Sequence, residues 1–246
     1  MHADLERRSW TLGKIFIYEC KRLLWNKFFF GIMMIILFYG WQVLSGTTIS
    51  GVAHTAPFSA WSFGDYLSRM LPLLWIGALF FLTFFTSRSA RRVSVLTDAA
   101  NAGAVRYAAA RCAAALTGTG LLAVICMAEA AVFYGSYFGW YDSGGLLKPF
   151  LITLLPPLVF ALGSGWLLGQ IRPWLIYVWM TAPLICMALP LPEALGLWNG
   201  SFFTEYPIEL GALDPAFAVP VSVVSAQCAL LATGIIAMLF RTKKVS

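Results

Sequence analysis

The sequence predicts an all-α polytopic membrane protein with six transmembrane helices. Hydrophobic residues make up 60% of the 246-residue chain, and charged residues only 11%. A soluble domain has about 25% charged residues, because it needs a charged surface to stay dispersed. The charges of this chain are also separated by long apolar segments. These observations exclude a disordered chain and a disulfide scaffold, and they disfavour a soluble enzyme.

Six apolar segments approach or exceed the length that crosses a bilayer, about 20 mostly apolar residues. In chain order these spans are residues 28–45, 71–86, 112–138, 149–171, 174–191 and 217–240. Together they make residues 1–246 a single transmembrane domain. A cleaved signal peptide is the alternative for the first segment, but the acidic residues before it do not suit one.

Lysine and arginine orient the chain. Fifteen of the 17 lie before span one, between spans two and three, between spans four and five, or after span six. Since positive residues favour the cytoplasmic side, both termini are predicted to be cytoplasmic. The net charge of +6 is then a signature of topology and of anionic lipids, and not of nucleic-acid binding.

Residues 10–27 are predicted to form an amphipathic helix in the cytoplasmic interface of the membrane. Apolar side chains fall on one arc of its helical wheel, and basic or polar ones on the other. The side chains expected at the interface are Trp10, Lys14, Lys21, Arg22 and Trp25. The alternative is a plain cytoplasmic extension of span one.

The cytoplasmic connection at residues 87–111 is long for a helix-to-helix connection. Val93, Leu96 and Ala100 are spaced three and four residues apart, so a short helix there would present one apolar ridge. The segment Asn101-Ala-Gly103 is typical of a helix end. We therefore expect a docking helix below the membrane, and the alternative is a solvated basic linker.

The outer connection at residues 192–215 contains no Lys or Arg and is rich in aromatic residues. It is too polar to cross the membrane and too aromatic for an ordinary exposed loop. We expect a re-entrant segment of one or two short helices before span six. A mobile outer loop is the alternative.

Two features inside the spans suggest specific contacts. Gly165 and Gly169 form a small-residue pair that would let another helix approach closely. Glu129 is the one acidic or basic residue inside a span. About 27 Å of helix separates it from Arg111, so it is expected near the outer boundary. There it would anchor the helix or make an interhelical hydrogen bond; the alternative is a role in a substrate path.

The sequence contains no recognisable catalytic or metal site. It has no G-x-x-x-x-G-K-[ST] motif for ATP, no H-E-x-x-H and no G-x-S-x-G. Its two histidines, His2 and His54, do not have metal-ligand spacing. The five cysteines form no C-x-x-C and are expected to be small buried hydrophobic residues.

The order of these parts resembles the permease subunit of ABC-2 type transporters, also called G-type or type V ABC exporters. A basic amphipathic helix, two spans, a cytoplasmic loop with a short helix, three spans, an outer re-entrant segment and a last span follow one another. The loop from Arg92 to Tyr107 is similar to the coupling-helix region of that family. There, an apolar helix precedes a small-residue turn and a basic residue that begins span three.

The resemblance implies an exporter subunit of a bacterial cytoplasmic membrane. Two permease chains, identical or related, would form the pore, and a separate cytoplasmic ABC ATPase would bind ATP and magnesium. The residues implied to contact that ATPase are Val93, Leu96, Thr97, Asp98 and Ala100. The apolar spans favour a lipid, hydrophobic drug or amphipathic peptide as substrate. The alternatives are a non-transport module such as a sensor, assembly or immunity partner, a small secondary carrier, and an intramembrane enzyme.

Overall fold

The computed structural model describes residues 2–86, 104–142, 144–212 and 214–240, and every regular element in these ranges is helical. The helices are α1 (His2–Leu24), α2 (Lys27–Gly46), α3 (Ala60–Thr86), α4 (Ala104–Phe138), α5 (Gly144–Ile171), α6 (Leu175–Trp179), α7 (Ala182–Ala188), α8 (Ser201–Glu209) and α9 (Val221–Leu239). Short 3₁₀ turns lie at Thr48–Ser50 and Glu193–Leu195.

Five of the described helices are long and apolar enough to cross a membrane, and they indicate a multi-pass membrane protein. They are α2, α3, α4, α5 and α9. Helices α2, α3, α4 and α5 each contain one predicted span, whereas α9 begins at Val221, four residues after the predicted start of span six, and ends at Leu239. Helix α3 begins at Ala60, well before residue 71. The polar residues Asp65 and Arg69 fit into its first turns because they pair with each other, with Arg69 Nε 2.8 Å from Asp65 Oδ2.

Contacts between the helices set their directions. Phe29 stacks on Phe81, and Gly40 faces Tyr66, so α2 and α3 are antiparallel. Gly118 packs against Phe81, and Tyr66 reaches Glu129, so α3 and α4 are antiparallel as well. We call the end where α2 begins the basic end, and the end where α3 begins the acidic end.

Helix α3 lies at the centre of the molecule. It contacts α2, α4, α5 and the three short helices α6, α7 and α8. Its largest side chains are inaccessible to solvent, and they include Trp61, Phe63, Tyr66 and Trp75. Protein therefore covers most of α3, whereas α2 and α9 leave many apolar side chains exposed.

Glycines bring α5 close to its neighbours. Gly163 meets the backbone of Gly234 in α9, and a Cβ atom at either position would collide with the other helix. Gly165 packs against Leu79 and Leu82 of α3 in the same way, and Gly169 is buried. Small residues therefore allow α5 to approach α9 at backbone distance and make room for leucine side chains of α3.

The predicted fifth span, residues 174–191, is two short helices rather than one continuous helix. The turn between α6 and α7 lies just before Pro183, which has no N–H to donate to the carbonyl of Trp179. The indole N–H of Trp75 donates to that carbonyl instead, at 3.2 Å. The break is thus stabilised by α3, and a sixth crossing of the membrane stays a prediction.

The segment between α7 and α9 packs along α3. Trp198 contacts Trp75 with ring centroids 5.2 Å apart, Phe203 lies against Gly64, and Phe202 and Trp61 have centroids 5.7 Å apart. These contacts follow about 21 Å of α3, since each residue of a helix rises about 1.5 Å. Trp198, Phe202 and Phe203 of this segment are buried, and Tyr206 is half-buried.

Candidate functional site

The basic end contains a buried ion pair between α1 and α4. The Nε of Arg111 lies 3.3 Å from Glu19 Oε1, and the side chains of both residues are almost completely buried. Arg22, which is half exposed, lies 3.6 Å from the other carboxylate oxygen. The guanidinium of Arg111 also lies 5.7 Å from the centroid of the Phe85 ring. A buried carboxylate is costly unless it is paired, so this pair fixes the position of α1 on α4.

Apolar contacts surround the ion pair. Leu23 packs on Gly118, where a Cβ atom would collide with it, and Cys20 lies beside Thr117. Because Glu19, Cys20 and Leu23 recur at helical spacing, they form one face of α1. Burial on this face raises the pKa of the Cys20 thiol. We call Glu19, Cys20, Leu23, Arg111 and Gly118 the α1–α4 clasp.

The predicted interfacial residues lie away from the clasp. Lys14 and Lys21 are exposed on the other side of α1, and Trp25 is 84% exposed. Arg22 is also exposed, but it borders the clasp through its contact with Glu19. The side chain of Trp10 lies outside the described part of the chain. The distribution agrees with a helix that has one protein-facing side and one side open to its surroundings.

The predicted ATPase-contact residues also lie outside the described part of the chain. They are Val93, Leu96, Thr97, Asp98 and Ala100. The described residues on each side are the end of α3 at Thr86 and the start of α4 at Ala104. Arg111 of the clasp is seven residues beyond that start, so the chain leads directly from this connection into the clasp.

Glu129 lies in a second polar contact, nearer the acidic end. Its carboxylate accepts a hydrogen bond from the Tyr66 hydroxyl at 3.3 Å, and the same hydroxyl lies 3.3 Å from the Cys126 carbonyl. Gly40 of α2 closes the site, because a Cβ atom there would collide with Glu129 Oε2. Glu129 is 9% exposed. Of the two roles expected near the outer boundary, the structure contains the interhelical hydrogen bond, which joins α3 to α4, while Gly40 of α2 packs against it.

Sequence reasoning missed the partners of both carboxylates. Glu19 was one charged residue on a predicted amphipathic helix, and Arg111 was one of several basic residues near a span. The sequence signal that could have paired Glu19 with Arg111 was their opposite charge, since both were predicted at the same membrane boundary. Tyr66 lay outside the predicted second span, because the charges of Asp65 and Arg69 hid the first turns of α3.

The described ranges contain no group of three or more His, Cys, Asp or Glu side chains that could hold a metal ion. The five cysteines are free thiols. The polar chemistry of this part of the molecule is therefore that of paired charges and hydrogen bonds between helices.

Comparisons with protein-family models, with curated proteins and with solved structures find no match for this chain.

Proposed function

We propose that this chain is the membrane-spanning permease subunit of an ATP-driven exporter of the ABC-2 type. In this proposal it lies in the cytoplasmic membrane of a bacterium, and the basic end and both termini face the cytoplasm. It works with a separate ABC ATPase, which holds ATP and magnesium, and with a second permease chain, either identical or related. Its substrate is a lipid, a hydrophobic drug or an amphipathic peptide.

The α1–α4 clasp is the observation that carries the proposal. Glu19 and Arg111 connect an amphipathic N-terminal helix to the first turns of α4. Helix α4 in turn follows the connection that is predicted to contact the ATPase. A force applied to that connection or to α1 would therefore move α1 and α4 together as one rigid body, since a buried ion pair resists separation.

Two further parts of the proposal concern the acidic end, which would face outward. Residues 174–191 would complete the sixth crossing as the broken helix α6–α7. Residues 192–215 would then re-enter the membrane along α3, against which Trp198, Phe202 and Phe203 are buried. The contact between Trp198 and Trp75 supports this, because Trp75 lies near the middle of α3.

Movement would pass from the clasp to the opposite end through α4. The same helix carries Glu129, which is bonded to Tyr66 of α3 and adjoins Gly40 of α2. Displacement of α4 would break or re-form this polar contact within the apolar interior. A change between inward-facing and outward-facing states needs two such discrete arrangements.

The test is co-purification of a P-loop ATPase with the full chain from its native membrane. We expect the wild-type chain to retain the ATPase and Leu96→Asp to lose it, because a charge would disrupt the predicted apolar ridge. Leu96→Met, which conserves apolar volume, is the matched control and should retain the partner. Retention of the ATPase by Leu96→Asp would remove the proposed contact.

A secondary carrier is the second candidate, and the burial of Glu129 favours it. A carboxylate between membrane helices is a common part of proton-coupled carriers. In proteoliposomes without any ATPase, such a carrier would move substrate on a proton gradient, and Glu129→Gln would stop it. The ATP-driven proposal predicts no gradient-driven movement under these conditions.

A further inference from the structure

An aromatic depression lies at the acidic end, outside both polar contacts described above. Its volume is about 260 Å³. Its lining includes four aromatic rings and the carboxylate of Asp214. The rings are those of Phe58, Trp61, Trp140 and Phe217. The walls come from the residues before α3 and its first turn, from the connection between α4 and α5, and from the residues before α9, so three separate parts of the chain meet here.

The rings are held by contacts with one another. Phe58 stacks on Trp140 with centroids 5.9 Å apart, and Trp61 meets Phe217 edge-on at 4.9 Å. Trp140 also packs on the buried Tyr134 at 5.8 Å. The aromatic walls are therefore already in place before any ligand arrives, which lowers the cost of binding.

The polar groups of the depression favour a positive ligand. The indole N–H of Trp61 donates to the Pro215 carbonyl at 2.8 Å, and the Ser59 hydroxyl donates to the Thr55 hydroxyl at 3.1 Å. No Lys or Arg is among the described residues that line it. Asp214 accepts one weak hydrogen bond from Ala56 N at 3.4 Å through one carboxylate oxygen. Trp61 is 1% exposed and supports the depression from behind. The depression thus offers a ligand the half-buried rings of Phe58, Trp140 and Phe217 and a carboxylate, but little to bind an anion.

We propose that the aromatic depression binds a quaternary ammonium group. Aromatic faces attract cations through their quadrupoles, and a neighbouring carboxylate adds to the attraction. A primary ammonium would need acceptors for its three N–H donors, whereas a quaternary ammonium has none. The proposal is independent of the ATPase, because every residue it uses lies at the opposite end of the molecule from the α1–α4 clasp.

Calorimetric titration of the full chain in phosphatidylglycerol nanodiscs tests the proposal. Choline is the probe, and dimethylbutanol, in which carbon replaces the charged nitrogen, is the neutral control. We expect choline to bind at least about tenfold more tightly than the alcohol, as cation–π attraction requires. Equal binding of the two compounds, or no binding of choline, would overturn the proposal.

Variants locate the binding. Asp214→Asn and Trp140→Leu should each weaken choline binding by about fivefold or more, since each removes one attractive group. Trp140→Phe keeps an aromatic face and should retain most of the affinity. Glu209→Gln removes an exposed acidic side chain at the end of α8 and is the matched control. If Glu209→Gln weakens binding as much as Asp214→Asn does, the effect comes from the overall negative charge of the acidic end, and the proposed binding site is wrong.

The source of the ammonium group is distinguished by lipid composition. The two nanodisc preparations contain the same fraction of phosphatidylglycerol, because anionic lipid concentrates cations at the surface. If the natural ligand is a choline lipid headgroup, phosphatidylcholine as the remaining lipid will compete and lower the apparent affinity for free choline relative to phosphatidylethanolamine. If it is a free organic cation, the affinity will be the same in both lipids. Each result supports a quaternary ammonium site and assigns its source.

Discussion

Glu129 shows how a single carboxylate can link three membrane helices. It lies on α4, it accepts from Tyr66 on α3, and it fills the space left by the missing side chain of Gly40 on α2. A polar group in the apolar interior needs a partner, and the Tyr66 hydroxyl supplies one. Glycine at position 40 is required because any Cβ atom would occupy the space of the carboxylate.

Gly40→Ala is therefore expected to lower the free energy of unfolding by about 1–3 kcal/mol, a typical cost of overpacking. The added methyl group would push Glu129 away from Tyr66 and would break the hydrogen bond. The check is unfolding of the purified chain in mixed micelles, followed by circular dichroism.

The matched control is Gly31→Ala in the same helix, where a Cβ atom would meet nothing within 4 Å. A double-mutant cycle gives the decisive comparison. The cost of Gly40→Ala should fall sharply in a Glu129→Ala background, because the colliding carboxylate is gone. An unchanged cost in that background would mean that Gly40 acts through some other contact.

At the scale of elements, the N-terminal helix is more than an amphipathic surface helix. Its basic side is exposed, but Glu19 and Leu23 on the other side are buried against α4. The helical wheel could predict which residues share a face. It could not predict that a carboxylate would lie within the buried face, because its partner, Arg111, is 92 residues away in the sequence.

Separating the charges of the clasp should loosen α1. We expect Glu19→Gln to destabilise the folded chain by about 3 kcal/mol, since it removes the negative charge that lies 3.3 Å from the buried Arg111 guanidinium. Arg22→Gln should cost less than about 1 kcal/mol, because the Arg22 side chain is half exposed. Equal costs for the two variants would contradict the assignment of Arg111 as the principal partner.

The interruption of the predicted fifth span is also an effect at the scale of elements. Hydropathy alone predicts a crossing from residue 174 to 191, and Pro183 alone predicts a local disturbance. The structure adds the indole of Trp75, which bonds to the carbonyl that Pro183 leaves free. A tertiary partner of this kind stabilises a break, and no local pattern reports it.

At the scale of the whole molecule, the distribution of charge predicted the class of the protein. Long uncharged segments predicted an all-helical membrane chain, and five long apolar helices agree with that class. Helix lengths were less predictable. Because Asp65 and Arg69 neutralise each other, α3 begins before the point where isolated charges would end an apolar segment.

Orientation can be measured with single cysteines in a chain that lacks its own. We expect Ala212→Cys, at the acidic end, to react with a membrane-impermeant maleimide in intact cells. Ser246→Cys should react only after the membrane is opened, because the positive residues of the C-terminal tail favour the cytoplasm. Labelling of Ser246→Cys in intact cells would reverse the proposed topology.

The central claim is that an ATPase moves this chain through α1 and the first turns of α4. The most direct measurement is the alkylation rate of Cys20, as the only thiol, in the purified complex with and without ATP. Partial burial, and the raised pKa of the thiol that it causes, slow the reaction of Cys20 while the clasp is closed. The account predicts a rate that changes with ATP, while Lys21→Cys on the exposed side, in a chain without Cys20, keeps a constant rate. An unchanged Cys20 rate in a complex that hydrolyses ATP would contradict it.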